Sequence, residues 1–135
     1  MRRDVFDTNV VVSALLFHAS APGRAFAQAL DRGVILVSVP FLNELDDVLS
    51  RKKFDRYVSR QERDRFLVAL TREAKLIEIA TSIRACRDPK DDLILELAVN
   101  GDASCIVTGD ADLLALHPFS GVQIVTPSEY LQSPV

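Results

Sequence analysis

Short apolar runs alternate with helical segments along this chain, and that alternation constrains the fold more than any other feature. Residues 34–37 are apolar throughout and mostly β-branched, as expected for a strand that is buried on both faces. Comparable runs predict strands over 3–6, 76–79, 104–108 and 123–125. Strands that alternate with helices indicate an α/β fold with a central, mostly parallel sheet and right-handed crossovers.

Capping signals mark the helices between these strands. Ser20 and Pro22 begin one helix, which Gly33 ends, and Ser59 begins a capping box. We predict helices over 9–16, 20–33, 38–49, 59–73 and 91–100, with short helical turns after 110 and 126. Because no repeat, low-complexity tract or linker interrupts the pattern, we interpret residues 1–135 as a single domain.

Composition excludes several classes of protein. Hydrophobic residues make up 48% of the 135 residues, which argues against disorder. No apolar run is long enough to span a bilayer, and Asp4 and Asp7 interrupt the stretch that a secretion signal would keep apolar, so we expect a cytoplasmic protein. Cys86 and Cys105 are expected to be reduced, buried thiols, and they are too few for a multi-cysteine zinc site. The net charge of −3 argues against a general nucleic-acid coat protein, although not against a nuclease.

Four acidic motifs, far apart in sequence, each lie at or just beyond the end of a predicted strand. They contain Asp7, Glu44, Asp91 and Asp110. In a parallel sheet these motifs meet at one edge, beyond the carboxyl ends of the strands, where such folds bind ligands. Crowded carboxylates repel one another and resist ionising together. Because hard cations such as Mg²⁺ and Mn²⁺ choose oxygen ligands, the pattern predicts a divalent-metal site.

Helical periodicity separates the candidate ligand in the helix over 91–100 from its neighbours. Asp91 falls in the middle of the apolar face, whereas Asp92 and Glu96 share the polar stripe. An unpaired carboxylate on an apolar face is costly, and a metal would relieve that cost. We therefore interpret Asp91 as the ligand and expect Asp92 and Glu96 to be solvated.

The helix over 38–49 gives a weaker distinction of the same kind. Glu44 borders its apolar stripe, which allows the side chain to reach the sheet edge. Asp46 and Asp47 lie on the opposite side and are expected to face water. Taken alone, Glu44 would be interpreted as a surface residue.

Each of the other motifs also has a structural interpretation. Asp7 is a suitable N-cap for the helix that follows it, and Asp112 for the turn after 110. Thr108, Gly109 and Asp110 together form a common turn sequence. Only the joint placement of the motifs at one sheet edge favours a functional site.

Basic residues are concentrated between residues 51 and 65, where seven Lys and Arg residues oppose three acids. Such an excess can follow a phosphate backbone. A solvated helical face is the alternative, and it is the interpretation that we favour from sequence.

Five stretches, in this order along the chain, resemble the PIN domain, a family of metal-dependent ribonucleases. The likeness is strongest to the bacterial and archaeal branch that supplies the toxins of toxin–antitoxin pairs, and it extends over essentially the whole chain. The matching stretches are 7–16, 38–45, 87–98, 107–114 and 124–131.

The resemblance implies a three-layer α/β/α sandwich and an endoribonuclease that cleaves single-stranded RNA with one or two Mg²⁺ or Mn²⁺ ions. It also implies a small antitoxin protein as partner, besides the RNA substrate. A homodimer is a further possibility that apolar positions on the helices of Phe41 and Phe66 suggest, although core packing explains those positions equally well. By the resemblance, the catalytic metal ligands are Asp7, Glu44, Asp91 and Asp110, with Asp112 as a further acid and with Asn9 and Thr108 as hydrogen-bonding support.

Two other functions are compatible with acids gathered at a sheet edge. A non-catalytic interaction module would accept an arginine of a protein partner in the acidic groove. A phosphoacceptor receiver-like domain would need paired acids after the first strand and a lysine after a late strand. Thr8 and Asn9 follow Asp7 instead, and no lysine follows Val107 in its turn, so we rank this function last.

Overall fold

The computed structural model describes residues 2–132, which form a five-stranded sheet flanked by helices. All neighbouring strands are parallel, which confirms the predicted fold class. The strands are β1 (Arg2–Phe6), β2 (Gly33–Val37), β3 (Lys75–Leu76), β4 (Cys105–Val107) and β5 (Gln123–Val125), in the spatial order β3-β2-β1-β4-β5. The helices are α1 (Thr8–Leu16), α2 (Ala21–Arg32), α3 (Val39–Leu49), α4 (Arg60–Glu73), α5 (Pro89–Asn100), α6 (Ala111–Leu114) and α7 (Pro127–Gln132).

The path of the chain reverses direction at the centre of the sheet. From β1 the chain passes through α1 and α2 to β2 on one side, whereas α5 carries it from β3 back to β4 on the other side of β1. Because such crossovers are right-handed, the opposite directions of travel place α2 and α5 on opposite faces of the sheet. The crevice beyond the carboxyl ends of β1 and β4 is therefore a topological switch point, the usual ligand site of open α/β sheets.

The register of the two central strands brings the first two motifs together. Phe6 pairs with Val107, and both are buried in the core. The next residues, Asp7 and Thr108, are consequently neighbours. The Asp7 N–H donates to the Val107 carbonyl at 3.1 Å, and the Thr108 N–H donates to the Val125 carbonyl at 2.9 Å.

The third strand and the helix that follows it have different bounds from those predicted. The predicted strand over 76–79 is replaced by the two-residue strand Lys75–Leu76, because its partner β2 ends at Val37 and the last ladder bond runs from the Ile77 N–H to the Val37 carbonyl at 2.7 Å. The next backbone N–H groups, of Ala80 and Thr81, bond to the Asn100 side chain. The helix α5 begins at Pro89, not at Asp91, because the Asp88 side chain accepts the Lys90 N–H and caps it.

The basic stretch is solvent-exposed at six of its seven cations, as the interpretation favoured from sequence expects, but it is not one continuous helical face. Residues Lys52–Phe54 form a short 3-10 helix, and α4 begins only at Arg60. The cysteines also differ in part from expectation: both are free thiols, but Cys86 is only half-buried, since it lies in the irregular loop before α5.

No single helix in the described part of the chain is long and apolar enough to cross a membrane. Helices α1 and α2 reach the required length and hydropathy only as a pair, and they are bent by 100° at the break between them.

Candidate metal centre

Asp7 occupies the switch point and is held there from two sides. Its carboxylate accepts the Val10 N–H at 2.9 Å, which caps α1, and it also accepts the Thr108 hydroxyl. The residue is buried. Burial raises the pKa of Asp7 above its ordinary value, and the hydrogen bonds from Thr108 and Val10 oppose that shift only in part. The capping role that sequence suggested is therefore present, in a carboxylate that is also costly to ionise.

Asp91 and Asp110 form a second group, a pair of neighbouring carboxylates. Asp91 is buried in the first turn of α5, on the face that helical periodicity indicated. Burial, the charge of Asp110 and a hydrogen bond with Asp110 raise the pKa of Asp91 to about 6. Two neighbouring carboxylates that repel each other in this way are stabilised by a positive charge placed near both.

Asp112 completes a triad with this pair. Carboxylate oxygens of Asp91, Asp110 and Asp112 lie within 4.8 Å of one another. Asp112 is exposed, and Arg87 holds both of its oxygens at 3.0 and 3.2 Å. The Asp112 N–H also donates to the Asp110 carboxylate at 2.8 Å, so the backbone of the short helix α6 fixes this side of the site.

Glu44 reaches the same cavity from α3. Asp7, Glu44, Asp91 and Asp110 all line a cavity of about 220 Å³ beyond the strand ends. The Glu44 carboxylate lies 3.6 Å from the Lys90 ammonium, so a cation already partners this acid. The structure thus brings four sequence-predicted acids to one cavity, although only Asp91 and Asp110 also belong to the close triad.

The two predicted supporting residues differ in what they contact. Thr108 is buried; its hydroxyl donates to Asp7 and accepts the Asp110 N–H at 3.0 Å. Thr108 therefore links the two halves of the site directly. Asn9 is exposed and lines the rim of the cavity.

The neighbouring acids divide into two groups. Asp46 and Asp47 are exposed, as predicted. Asp92 and Glu96 are half-buried, which corrects the expectation that they would be solvated. Their carboxylates accept backbone N–H groups of the loop before α5: Asp92 bonds Ala85 and Cys86 at 2.9 Å each, and Glu96 bonds Ile83 at 2.8 Å. A loop without regular structure needs partners for its N–H groups, and the polar stripe of α5 supplies them.

Sequence reasoning missed the cations at the rim. Lys90 and Arg51 line the cavity, and Arg87 binds Asp112. The short spacing of Arg87, Lys90 and Asp91 was a usable signal, because residues flanking the first turn of a helix lie close to its N-terminal acids.

The donor set fits a hard divalent cation. The described residues that line the cavity supply carboxylate oxygens, the ligand type that Mg²⁺ and Mn²⁺ prefer, and the N-terminus of α1 orients Asp7. Burial combined with mutual repulsion of the carboxylates is relieved by positive charge.

A known protein family and a protein from another organism match this chain over most of its length. The family model described as the PIN domain matches residues 3–112, a span that includes every acid of the cavity and Asp112. The uncharacterized protein MJ1680 of Methanocaldococcus jannaschii is 26% identical, with 95% of this chain and 88% of that protein covered.

Solved structures share the fold at low sequence identity. VapBC2 from Rickettsia felis, bound to a DNA fragment from its promoter, superposes with a TM-score of 0.63 at 16% identity, over 90% of this chain and 96% of that one. PAE2754 from Pyrobaculum aerophilum gives 0.63 at 15% identity, over 97% and 88%. VapBC-1 from nontypeable Haemophilus influenzae gives 0.62 at 14% identity, over 93% and 98%.

Proposed function

The chain belongs to the PIN domain family, and on that premise we propose that it is a divalent-metal-dependent endoribonuclease that cleaves single-stranded RNA. The observation that carries the proposal is the convergence of Asp7, Glu44, Asp91 and Asp110 on one cavity at the switch point of the sheet. The proposal treats residues 1–135 as one nuclease domain, acting in the cytoplasm.

We propose that the four acids hold one or two Mg²⁺ or Mn²⁺ ions, with Asp112 as a further ligand. When bound, such a cation supplies a water of lowered pKa and offsets the charge that develops on a phosphodiester. Thr108 keeps the Asp7 carboxylate in place by its hydroxyl bond, and Asn9 at the rim is positioned to hydrogen-bond the substrate.

The cations at the rim have a separate part in the proposal. Lys90 and Arg51 line the cavity with the acids, so a phosphate that enters meets positive charge on the protein as well as at the metal. The Lys90 ammonium is available to a phosphate oxygen once Glu44 has a stronger partner, because their 3.6 Å separation is that of a loose pair.

We propose further that the protein is the toxin of a toxin–antitoxin pair, with a small antitoxin protein as its partner. The support is the fold shared with the VapBC structures. A homodimer remains part of the proposal. Phe41 and Phe66 themselves pack in or against the core, and Val39 and Val68, on the same two helices, are the exposed apolar positions that would form it.

A non-catalytic interaction module is the second candidate. Arg87 already binds Asp112 with two contacts, which shows that a guanidinium fits against this acidic cluster. An arginine from a partner protein would extend the same interaction into the cavity.

Cleavage of single-stranded RNA by the purified protein tests the proposal. We expect cleavage with Mg²⁺ or Mn²⁺ and none with chelator. The cleavage rate should fall on the order of a hundredfold or more in Asp7→Asn and in Asp110→Asn, because each variant loses a metal ligand and with it the stabilisation of charge that the metal supplies. Asp46→Asn and Asp47→Asn remove the same charge from an exposed position and should retain full activity. Undiminished cleavage in both site variants would contradict the assignment, and a protein that binds no divalent ion would favour the interaction module.

A further inference from the structure

Two aromatic side chains lie exposed beside the basic stretch. Phe17, at the end of α1, and Tyr57 are 53% and 54% exposed, and their ring centroids are 6.2 Å apart at an interplanar angle of 63°. The Arg56 guanidinium lies 5.8 Å from the centroid of the Tyr57 ring, and the Lys53 ammonium lies near Phe54. We call the set of Phe17, Lys53, Arg56 and Tyr57 the aromatic–basic patch.

A chain of tight turns holds the patch in shape. The Phe54 N–H donates to the Arg51 carbonyl at 3.0 Å, and the Tyr57 and Val58 N–H groups both donate to the Phe54 carbonyl. The Phe54 ring is half-buried and packs against the core. Residues 51–58 are therefore anchored to the core by Phe54, and Tyr57 is exposed to solvent from this hydrogen-bonded backbone.

Most of the positive charge of residues 51–57 has no acidic partner. Within residues 2–132, no carboxylate lies within 4 Å of the side-chain nitrogens of Lys52, Lys53 or Arg56. Arg51, at the start of the segment, is exposed, lies 3.9 Å from Asp47 and lines the acidic cavity. Exposed cations that are not neutralised by neighbouring acids attract phosphates.

The patch lies close to the cavity along the chain. Arg51 belongs to the cavity lining, and Tyr57 follows only six residues later, a span of at most about 21 Å for a fully extended chain. The turns shorten this span. A single RNA strand that has one phosphodiester in the cavity can therefore reach the patch with nucleotides a few positions away.

We propose that the aromatic–basic patch is a binding subsite for single-stranded RNA, in which bases stack on Tyr57 and Phe17 while Lys53 and Arg56 contact phosphates. Exposed aromatic rings beside unpaired cations form the general binding surface for single strands, because every base has a face that stacks. A duplex keeps its bases stacked inside and cannot use the rings in this way. The inference rests on the proposed ribonuclease function, since it concerns where the substrate of that site is held.

Binding and chemistry can be measured separately. Binding of a short fluorescein-labelled oligouridylate is followed by anisotropy in chelator, where no cleavage is expected, and the same strand annealed to oligoadenylate is the duplex control. Chemistry is measured with bis(4-nitrophenyl) phosphate, a small diester that reaches only the cavity, in the presence of Mn²⁺.

We expect Tyr57→Ala to raise the Kd for the single strand by about 5-fold to 150-fold, the range for loss of one stacked base. Tyr57→Phe keeps the ring and should bind as the unchanged protein does, and Tyr57→Leu keeps apolar bulk but should bind as weakly as the alanine variant. All three should hydrolyse the small diester at the original rate.

The cations give an independent readout. Removing both phosphate contacts in Lys53→Ala/Arg56→Ala should reduce the slope of log Kd against log salt by about 1.4, or about 0.7 for each phosphate contact to a single strand. Arg32→Ala/Arg72→Ala removes the same charge from two exposed positions next to the starts of β2 and β3, at the opposite edge of the sheet, and should leave the slope unchanged.

The outcomes distinguish the subsite from the catalytic proposal. An unchanged Kd in Tyr57→Ala and an unchanged salt slope in the double lysine–arginine variant would overturn the subsite, and a surface that binds a protein instead would give that result. Weakened single-strand binding in a protein that hydrolyses neither RNA nor the diester would support the subsite while the ribonuclease proposal fails.

Discussion

Replacing Asp91 by asparagine should make the metal-free protein more stable, although it removes a proposed metal ligand. The pKa of Asp91 is raised from 3.8 to about 6 by burial and by Asp110, so the folded state resists the charge that this residue carries at neutral pH. Each pKa unit corresponds to about 1.4 kcal/mol, which sets an upper limit of about 3 kcal/mol on the stability that ionisation removes. Asparagine has a similar shape and no charge, so Asp91→Asn recovers part of that free energy.

The size of the stability gain in Asp91→Asn depends on pH in a defined way. Between pH 3.8 and about 6, the folded state holds the Asp91 proton while the unfolded state has released it. Stability of the unchanged protein therefore falls through this window as pH rises, relative to Asp91→Asn, which does not titrate there. We expect no advantage of the variant below pH 3.8 and the full advantage above pH 6.

Thermal unfolding in chelator at pH 7.5 and at pH 4 measures this difference. A gain of 1 to 3 kcal/mol corresponds to a rise in Tm of roughly 3 to 12 °C for a domain of this length. Asp92→Asn is the matched control, because hydrogen bonds from the Ala85 and Cys86 N–H groups lower the pKa of Asp92 and make its charge stabilising. That variant should have a lower Tm at pH 7.5. If Asp91→Asn also melts at or below the Tm of the unchanged protein at pH 7.5, the electrostatic account of the site is wrong.

Three further predictions concern the metal, a buried acid and a close contact. Saturating Mn²⁺ should raise stability by about 2.7 kcal/mol at a hundred times its Kd, and Glu44→Gln should reduce that gain at the same metal concentration, as measured by Tm with and without chelator. Tyr130→Phe should cost about 1–3 kcal/mol in urea unfolding, because it removes the 2.7 Å hydrogen bond to Asp4, which is 0% exposed, and it should leave RNA cleavage unchanged. Gly101→Ala should cost about 1–3 kcal/mol in the same assay, because the added Cβ would lie 2.6 Å from the Leu36 Cδ1 atom.

Sequence reasoning succeeded where the deciding interactions are local. The burial of Asp91 could be predicted because helix phase depends only on residues within one or two turns, and the phase was correct even though α5 begins two residues earlier than expected. The fold class could also be predicted, because the periodicity that distinguishes a strand from a helix depends only on neighbouring residues.

It failed where a side chain meets a segment that is distant or irregular. Asp92 and Glu96 appeared solvated because the helix itself leaves them on a polar stripe, and nothing local indicates that a loop folds back to bond with them. The 3-10 helix at Lys52–Phe54 has the charge of a solvated helix and lacks its periodicity, so composition alone could not separate the two.

The topology explains why acids so far apart in sequence form one site. β1 and β4 are sequence-distant but adjacent in the sheet, and the register that pairs Phe6 with Val107 leaves Asp7 beside Thr108. A shift of that register by one residue would turn alternate side chains to the other face and separate the Thr108 hydroxyl from the Asp7 carboxylate. The apolar pairing of the two strands thus fixes a polar contact at their ends. The core therefore enforces the close approach of acids that electrostatics alone would drive apart, and the cation proposed for this site would offset that repulsion.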